Sequence, residues 1–126
     1  MTGVQTCALP ISFDLDPAGN LSNKRVFLRF DAAWGYPDGM TTDAQGGIWI
    51  AHWGGARISR FLPDGRLDRV IPLPASNITS MVFAGDGLDR MFVTSASLGC
   101  EGETHAGALF EVAAGVVGLP TRRFKG

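Results

Sequence analysis

Cysteine is nearly absent from this 126-residue chain: Cys7 and Cys100 are the only two, and no CxxC spacing occurs. That excludes a disulfide framework and a cysteine metal cluster, and leaves Cys100 to be read as a free, partly buried thiol. A basic excess is also missing. Eleven Lys and Arg face twelve Asp and Glu, for a formal charge of −1 and a pI near 6.0. Nothing here would neutralise a phosphate backbone or an anionic lipid surface, so neither nucleic acid nor membrane is an expected partner. The apolar runs are a handful of residues long, far below the ~20 needed to span a bilayer. Met1 to Leu9 carry no Lys or Arg and no adequate apolar h-region, so no secretory signal is read there; the sequence names no compartment, and the cytoplasm is favoured. No stretch sustains a capped 3.6-residue pattern over the ~10 residues that a helix assignment wants.

Turn residues are plentiful, with seventeen glycines and seven prolines. A composition of 45% hydrophobic and 18% charged residues is that of a folded chain, and the length is enough for a core. Short β-branched or aromatic stretches alternate with Gly, Asp, Asn and Pro, which predicts an all-β fold. Strands are expected near Ser12–Leu15, Arg25–Phe30, Gly39–Asp43, Ile48–His52, Arg57–Phe61, Asp68–Leu73, Thr79–Phe83, Arg90–Ser95, Ala108–Val112 and Thr121–Phe124. Pro63-Asp64-Gly65 is a turn tripeptide, Pro presetting φ and Gly accepting a positive one.

The pattern repeats. Ile11–Phe30 lines up with Ile58–Leu73 at an offset of about 46, matching Pro17 to Pro63; Pro37–Ile50 lines up with Ile78–Val93 at an offset of 41, matching Met40 to Met81. Self-similarity at ~40–46 residues with four strands per unit is the signature of β-propeller blades. In that register the chain holds the outer two strands of one blade and then two further blades, a partial β-propeller of about two and a half blades.

The segment from Tyr36 to Gly55 carries Pro37-Asp38-Gly39-Met40, then Asp43, Gly46, Trp49, Ala51 and Trp53-Gly54-Gly55. It resembles the PDGM…D-x-x-G-x-x-W-V-A-x-W-G-G signature of the SMP-30/gluconolactonase/regucalcin family. Arg57 to Gly65, Thr79-Ser80 with Phe83, Phe92 to Ala96, and Gly107 to Phe110 continue the likeness in order. It covers about Phe13 to Lys125. The resemblance implies a six-bladed propeller of roughly twice this length or more, of which residues 12–126 look like the C-terminal half. Residues 1–11 resemble nothing in the family. They are similar to the translated sequencing-adapter read found at the ends of some metagenomic reading frames; an ordinary disordered N-terminus is the alternative.

Family members hydrolyse lactones, typically of sugar acids, with one divalent cation at the top of the central channel. The implied substrate is therefore a small-molecule sugar lactone, and the implied cofactor is one calcium, zinc, manganese or magnesium ion. The family ligands are a Glu, an Asn and the Asp of PDGM. Only the last has a counterpart, Asp38, which by residue type alone would cap a turn and by resemblance is a metal ligand and catalytic carboxylate. The Glu, the Asn and the family's sugar-contacting Arg and Asn would lie upstream of Phe13. The expected function is thus a fragment of a metal-dependent sugar-lactone hydrolase, inactive alone; the alternative is a non-catalytic propeller module that binds a ligand or partner.

Other residues are weighed against plainer roles. Thr79 matches Asp38 in the 41-residue offset and is expected to face the channel, though its chemistry is that of a β-branched strand residue. His52 is either channel-facing or packed against the neighbouring blade. Glu101, Glu103 and His105 have ligand types at alternate positions but fall in a Gly-rich connection, which reads as a solvated loop. Trp34, Trp49 and Trp53 read as blade-core or rim aromatics.

Overall fold

A computed structural model describes residues 9–123. It forms nine strands: β1 (Ile11–Leu15), β2 (Leu21–Val26), β3 (Tyr36–Thr42), β4 (Ile48–Trp53), β5 (Arg57–Phe61), β6 (Leu67–Pro72), β7 (Asn77–Ala84), β8 (Arg90–Ala96) and β9 (Leu109–Val112). The only helical element among the described residues is a three-residue 3-10 turn, Ala32–Trp34. Every pairing is antiparallel. The fold is a partial β-propeller. Strands β3 to β6 make one four-stranded blade, β7 to β9 three strands of the next, and β1–β2 a separate hairpin.

Both repeats seen in the sequence are structural. The β1–β2 and β5–β6 hairpins turn at Pro17 and Pro63, and β3–β4 is echoed by β7–β8. Alternation then sorts the faces. On the first blade, Trp49, Ala51 and Ile58 point towards the second blade and meet Ile78, Met81, Phe83, Met91 and Val93. On its opposite face, Ile50 and Phe61 meet Leu28 and Phe30. Among the described residues β4 and β7 share one register pair, Trp53 to Asn77, and Ala56 N–H adds a bond to the Ser76 carbonyl. Side-chain packing fills the rest of the junction.

Two strand expectations change. The stretch Arg25–Phe30 has strand composition, but pairing with β1 runs from Leu21 and stops at Ile11↔Val26, with one further bond from Phe27 N–H to the Pro10 carbonyl. Among the described residues the ladder goes no further, and Leu28 and Phe30 turn inwards onto the first blade. Thr121 to Arg123 form no strand, and Phe124 lies outside the described residues. The chain after β9 crosses back over both blades: Arg69 donates to the Ala114 carbonyl, Ala44 N–H to Val117 and Gly118 N–H to Leu88. Ala114 and Val116 are buried in the interblade core by this route. The start expected to stand apart, residues 1–8, lies outside the described residues; Leu9 is half-buried and Ile11 is 47% exposed.

Candidate functional site

Asp38 lies in β3, the first strand of its blade, where the ladder is interrupted. Pro37 pairs with His52 and Met40 with Ile50, so Asp38 and Gly39 together oppose Ala51 in a bulge. A bulge re-aims its side chains out of the regular alternation, and Asp38 is exposed. Thr79 sits at the matching irregularity of β7, between Ile78 and Ser80. The two bulges are neighbours. A Cβ on Gly39 would come within 2.7 Å of both the Thr79 carbonyl and the Ser80 Cβ, so only glycine lets the first strands of the two blades approach this closely. Thr79 itself is half-buried, and its hydroxyl shares a 2.7 Å hydrogen bond with that of Thr94. Its oxygen is tied into its own blade.

His52 does not line an open surface. Its side chain is 0% exposed, packed against Phe30 at 4.5 Å between ring centroids and beside Trp34. The register explains this: His52 pairs with Pro37 and Arg57 and lies on the face that Phe30 covers. Nδ1 lies 2.8 Å from the Trp34 carbonyl, and Nε2 is buried with no partner among the described residues. Burial is the largest influence on the ring; together with the Arg57 charge it outweighs the Trp34 hydrogen bond and holds the imidazole down to about 4. His52 is neutral at pH 7. Of the three tryptophans, Trp49 is fully buried in the interblade core, while Trp34 and Trp53 are half-buried and Arg57 lies over the Trp34 ring at 5.3 Å.

The most highly connected polar group is Asp43, whose role residue-type reasoning does not isolate. It is 0% exposed and accepts from the amides of Gln45 and Gly47, from Trp49 Nε1 at 2.8 Å and from Arg60 Nε at 2.7 Å and Nη2 at 3.1 Å. Burial pushes its carboxyl up, but Arg60, Trp49 and the two amides outweigh it and leave it below the usual range. Arg60, 3% exposed, also reaches Asp68 and Gln45. The signal was present in the spacing: Asp43, Gly46 of the tight turn and Trp49 are the D-x-x-G-x-x-W segment. This is a structural network that closes the first blade.

The Glu101–His105 loop is not wholly solvated. Glu103 is half-buried and accepts from Ser76 N–H at 2.9 Å and from the Ser76 hydroxyl, which lowers its pKa. Asn77 donates to the Leu98 carbonyl and to Cys100 Sγ. Burial, then the nearby Glu103 carboxylate, pushes the Cys100 thiol up, so it is held protonated. Glu101 caps Gly99, and His105 is exposed. The loop and Leu73–Ser76 border an open depression of about 460 Å³.

The residues present do not make a cation site. Among the described residues no three of His, Cys, Asp or Glu cluster as ligands, and one carboxylate falls short of the ~6 oxygens a hard cation wants. Asp38 and Thr79 sit at the neighbouring bulges of β3 and β7, whereas His52 lies on β4, buried under Phe30 and Trp34; of the three only Asp38 is exposed.

The sequence model of the SMP-30/Gluconolactonase/LRE-like region matches residues 8–97. The chain is 38% identical over 120 residues to an L-arabinolactonase of Azospirillum brasilense, covering 90% of this chain and 39% of that one. It is 36% identical over 123 residues to the regucalcin of Danio rerio, covering 91% and 42%. Among solved structures, a luciferin-regenerating enzyme superposes with a TM-score of 0.76 at 31% identity, covering 86% of this chain and 39% of that one. A regucalcin of Agrobacterium tumefaciens, described as a calcium-binding protein, gives 0.72 at 28%, covering 81% and 37%. The chain thus spans about two fifths of the length of these relatives. No helix among the described residues is long and apolar enough to cross a membrane. With the signature residues in order, the blades they predict and a family match over most of its length, the chain belongs to the SMP-30/gluconolactonase/LRE-like family.

Proposed function

We propose that this chain is part of a lactone hydrolase acting on sugar lactones, that residues 12–126 form the C-terminal half of its propeller, and that Asp38 is the carboxylate it contributes to the reaction centre. The observation that carries this reading is the placement of Asp38. It is exposed at a bulge in the first strand of one blade, against the equivalent bulge of the next, in a chain similar to an L-arabinolactonase over 90% of its length. A carboxylate so held can accept a proton or help bind a cation in the complete protein, and the blades fix its direction. Calcium, zinc, manganese and magnesium are the ions to test, and a regucalcin's description as calcium-binding supports trying calcium first. The chain's own residues supply one ligand at most, so no metal-assisted step is assigned to it alone.

Hydrolysis of a panel of aldonolactones, with each of the four ions in excess, tests the reading. The 126-residue chain is expected to show negligible turnover. A longer reading frame that contains it should turn over a lactone and lose that activity on Asp38→Ala while remaining folded. Full activity after Asp38→Ala would refute the role of Asp38. A folded, full-length protein that hydrolyses no lactone would point instead to a non-catalytic binding module.

A further inference from the structure

We propose that His52 is a positioning residue for Asp38, acting through a hydrogen bond from its Nδ1–H to the Trp34 carbonyl. The inference rests on the reading of Asp38 as the reactive carboxylate.

The chain enters β3 through two register points, Tyr36↔Trp53 and Pro37↔His52, before the ladder breaks. Pro37 has no N–H to donate, and the bulge leaves Asp38 and Gly39 sharing one partner residue on β4. The direction of Asp38 therefore depends on what anchors the segment just before it. That segment is the Ala32–Trp34 turn, capped by Asp31, whose side chain accepts from Ala33 N–H at 2.8 Å. Its end is fixed by the Trp34 carbonyl, which lies 2.8 Å from His52 Nδ1. His52 is in turn the β4 residue paired with Pro37, the last register point before Asp38. One side chain thus links the start of the turn's exit to the strand position opposite it.

The chemistry of the ring says why it is a histidine. A carbonyl only accepts, so Nδ1 carries the proton and Nε2 keeps a lone pair. That lone pair is fully buried and has no partner among the described residues, which is a cost. A leucine or phenylalanine could occupy the same apolar space, beside Phe30 and Trp34, without that cost. What the imidazole adds is the one N–H···O bond. Arg57 Nε approaches Nδ1 at 3.3 Å, but with Nδ1 protonated it has no lone pair to meet there, and its guanidinium stacks on Trp34 instead. The packing around the bond leaves no slack. A Cβ on Gly55 would collide with the Trp34 carbonyl and come within 2.7 Å of the His52 Cβ. On the far side of the bulge, Gly39 is pressed against Thr79 and Ser80. Asp38 is held between two clamps, one from β7 and one from His52.

The test uses the 126-residue chain and NMR. In the wild type, imidazole nitrogen shifts should show the Nδ1–H tautomer, with a through-bond coupling from that proton to the Trp34 carbonyl carbon; an Nε2–H tautomer would overturn the proposal. His52→Leu keeps apolar bulk and loses the donor, whereas His52→Asn places an amide donor where Nδ1 was. His52→Leu should speed amide exchange across residues 34–40 at least tenfold and shift the Asp38 and Gly39 resonances, with Met91 and Val93 unchanged. His52→Asn should restore the wild-type pattern. Unchanged exchange at Asp38 and Gly39 in a folded His52→Leu would refute the clasp, as would an effect spread evenly over both blades or no rescue by Asn. Should His52→Leu fail to fold, the tautomer and the coupling decide alone. None of these readouts involves turnover, so loss of the Asp38 assignment in the lactone assay would leave the clasp standing, and the reverse.

Discussion

Substituting Asp43 by Asn removes one charge and almost no volume, and should be among the most damaging single changes in the chain. The amide oxygen can still accept from the Gln45 and Gly47 N–H groups. The amide nitrogen, however, then faces donors on Trp49 Nε1 and Arg60 Nε that lie 2.8 and 2.7 Å from the present oxygen. Arg60, 3% exposed, loses the charge and its Nε acceptor, and keeps Asp68, Gln45 and, through Nη2, the remaining amide oxygen. Breaking a buried pair by removing one partner costs about 3–5 kcal/mol; Asp68 compensates in part, so about 3 kcal/mol is expected. For a chain of this size that is a fall in Tm of roughly 12 °C. Arg60→Met should cost less, about 2 kcal/mol, because Asp43 would keep Trp49 and two amides. The double variant should be milder than the sum of the two by about 1–3 kcal/mol, since each single change strands the other's partner. Because the folded carboxyl is depressed, the pair's contribution is fully present above the ordinary Asp value of about 3.9 and is lost as pH falls through the lower folded value. Urea unfolding at pH 7, followed by circular dichroism and by tryptophan emission, measures all three variants. A loss below about 0.5 kcal/mol for Asp43→Asn, or strict additivity in the double variant, would refute the reasoning.

Two other outcomes follow from burial. His52 is held at about 4 against an ordinary 6.5, so the unfolded chain binds a proton there that the folded chain does not. Stability should be full above about pH 6.5 and decline towards pH 4 by up to about 3 kcal/mol, with His52→Leu flattening that limb in a pH series of urea melts; an unchanged slope would count against it. On β7, Met81 is 6% exposed and its neighbour Val82 is 56% exposed. Met81→Ala should therefore cost about 2–4 kcal/mol and Val82→Ala within about 0.5, and equal effects would contradict the assignment of faces.

The sequence alone determined the class of fold and the place of Asp38. Strand composition, turn residues and the two repeat offsets are local properties, legible because each blade strand is short and each turn needs a particular backbone conformation. The position of Asp38 between Pro37 and Gly39 was readable for the same reason. Tertiary structure decided what local pattern cannot carry. Arg25 to Phe30 looks like a strand throughout, yet among the described residues the ladder with β1 ends at Val26, and Leu28 and Phe30 are taken up by the first blade's face. Thr121 to Arg123 form no strand, and the chain just before them, Ala114 to Gly118, crosses the blade junction with Ala114 and Val116 buried there. The fate of His52 turned on which face of β4 Phe30 and Trp34 would cover, and that cover comes from a segment some twenty residues earlier. Asp43, Arg60 and Trp49 are separated in the chain by up to 17 positions, and only the pairing of β4 with β5 brings their donors and acceptors onto one buried point. Local preference sets which elements form; long-range burial sets which polar groups are shielded from water, and so which of them hold the fold and which stay free to react.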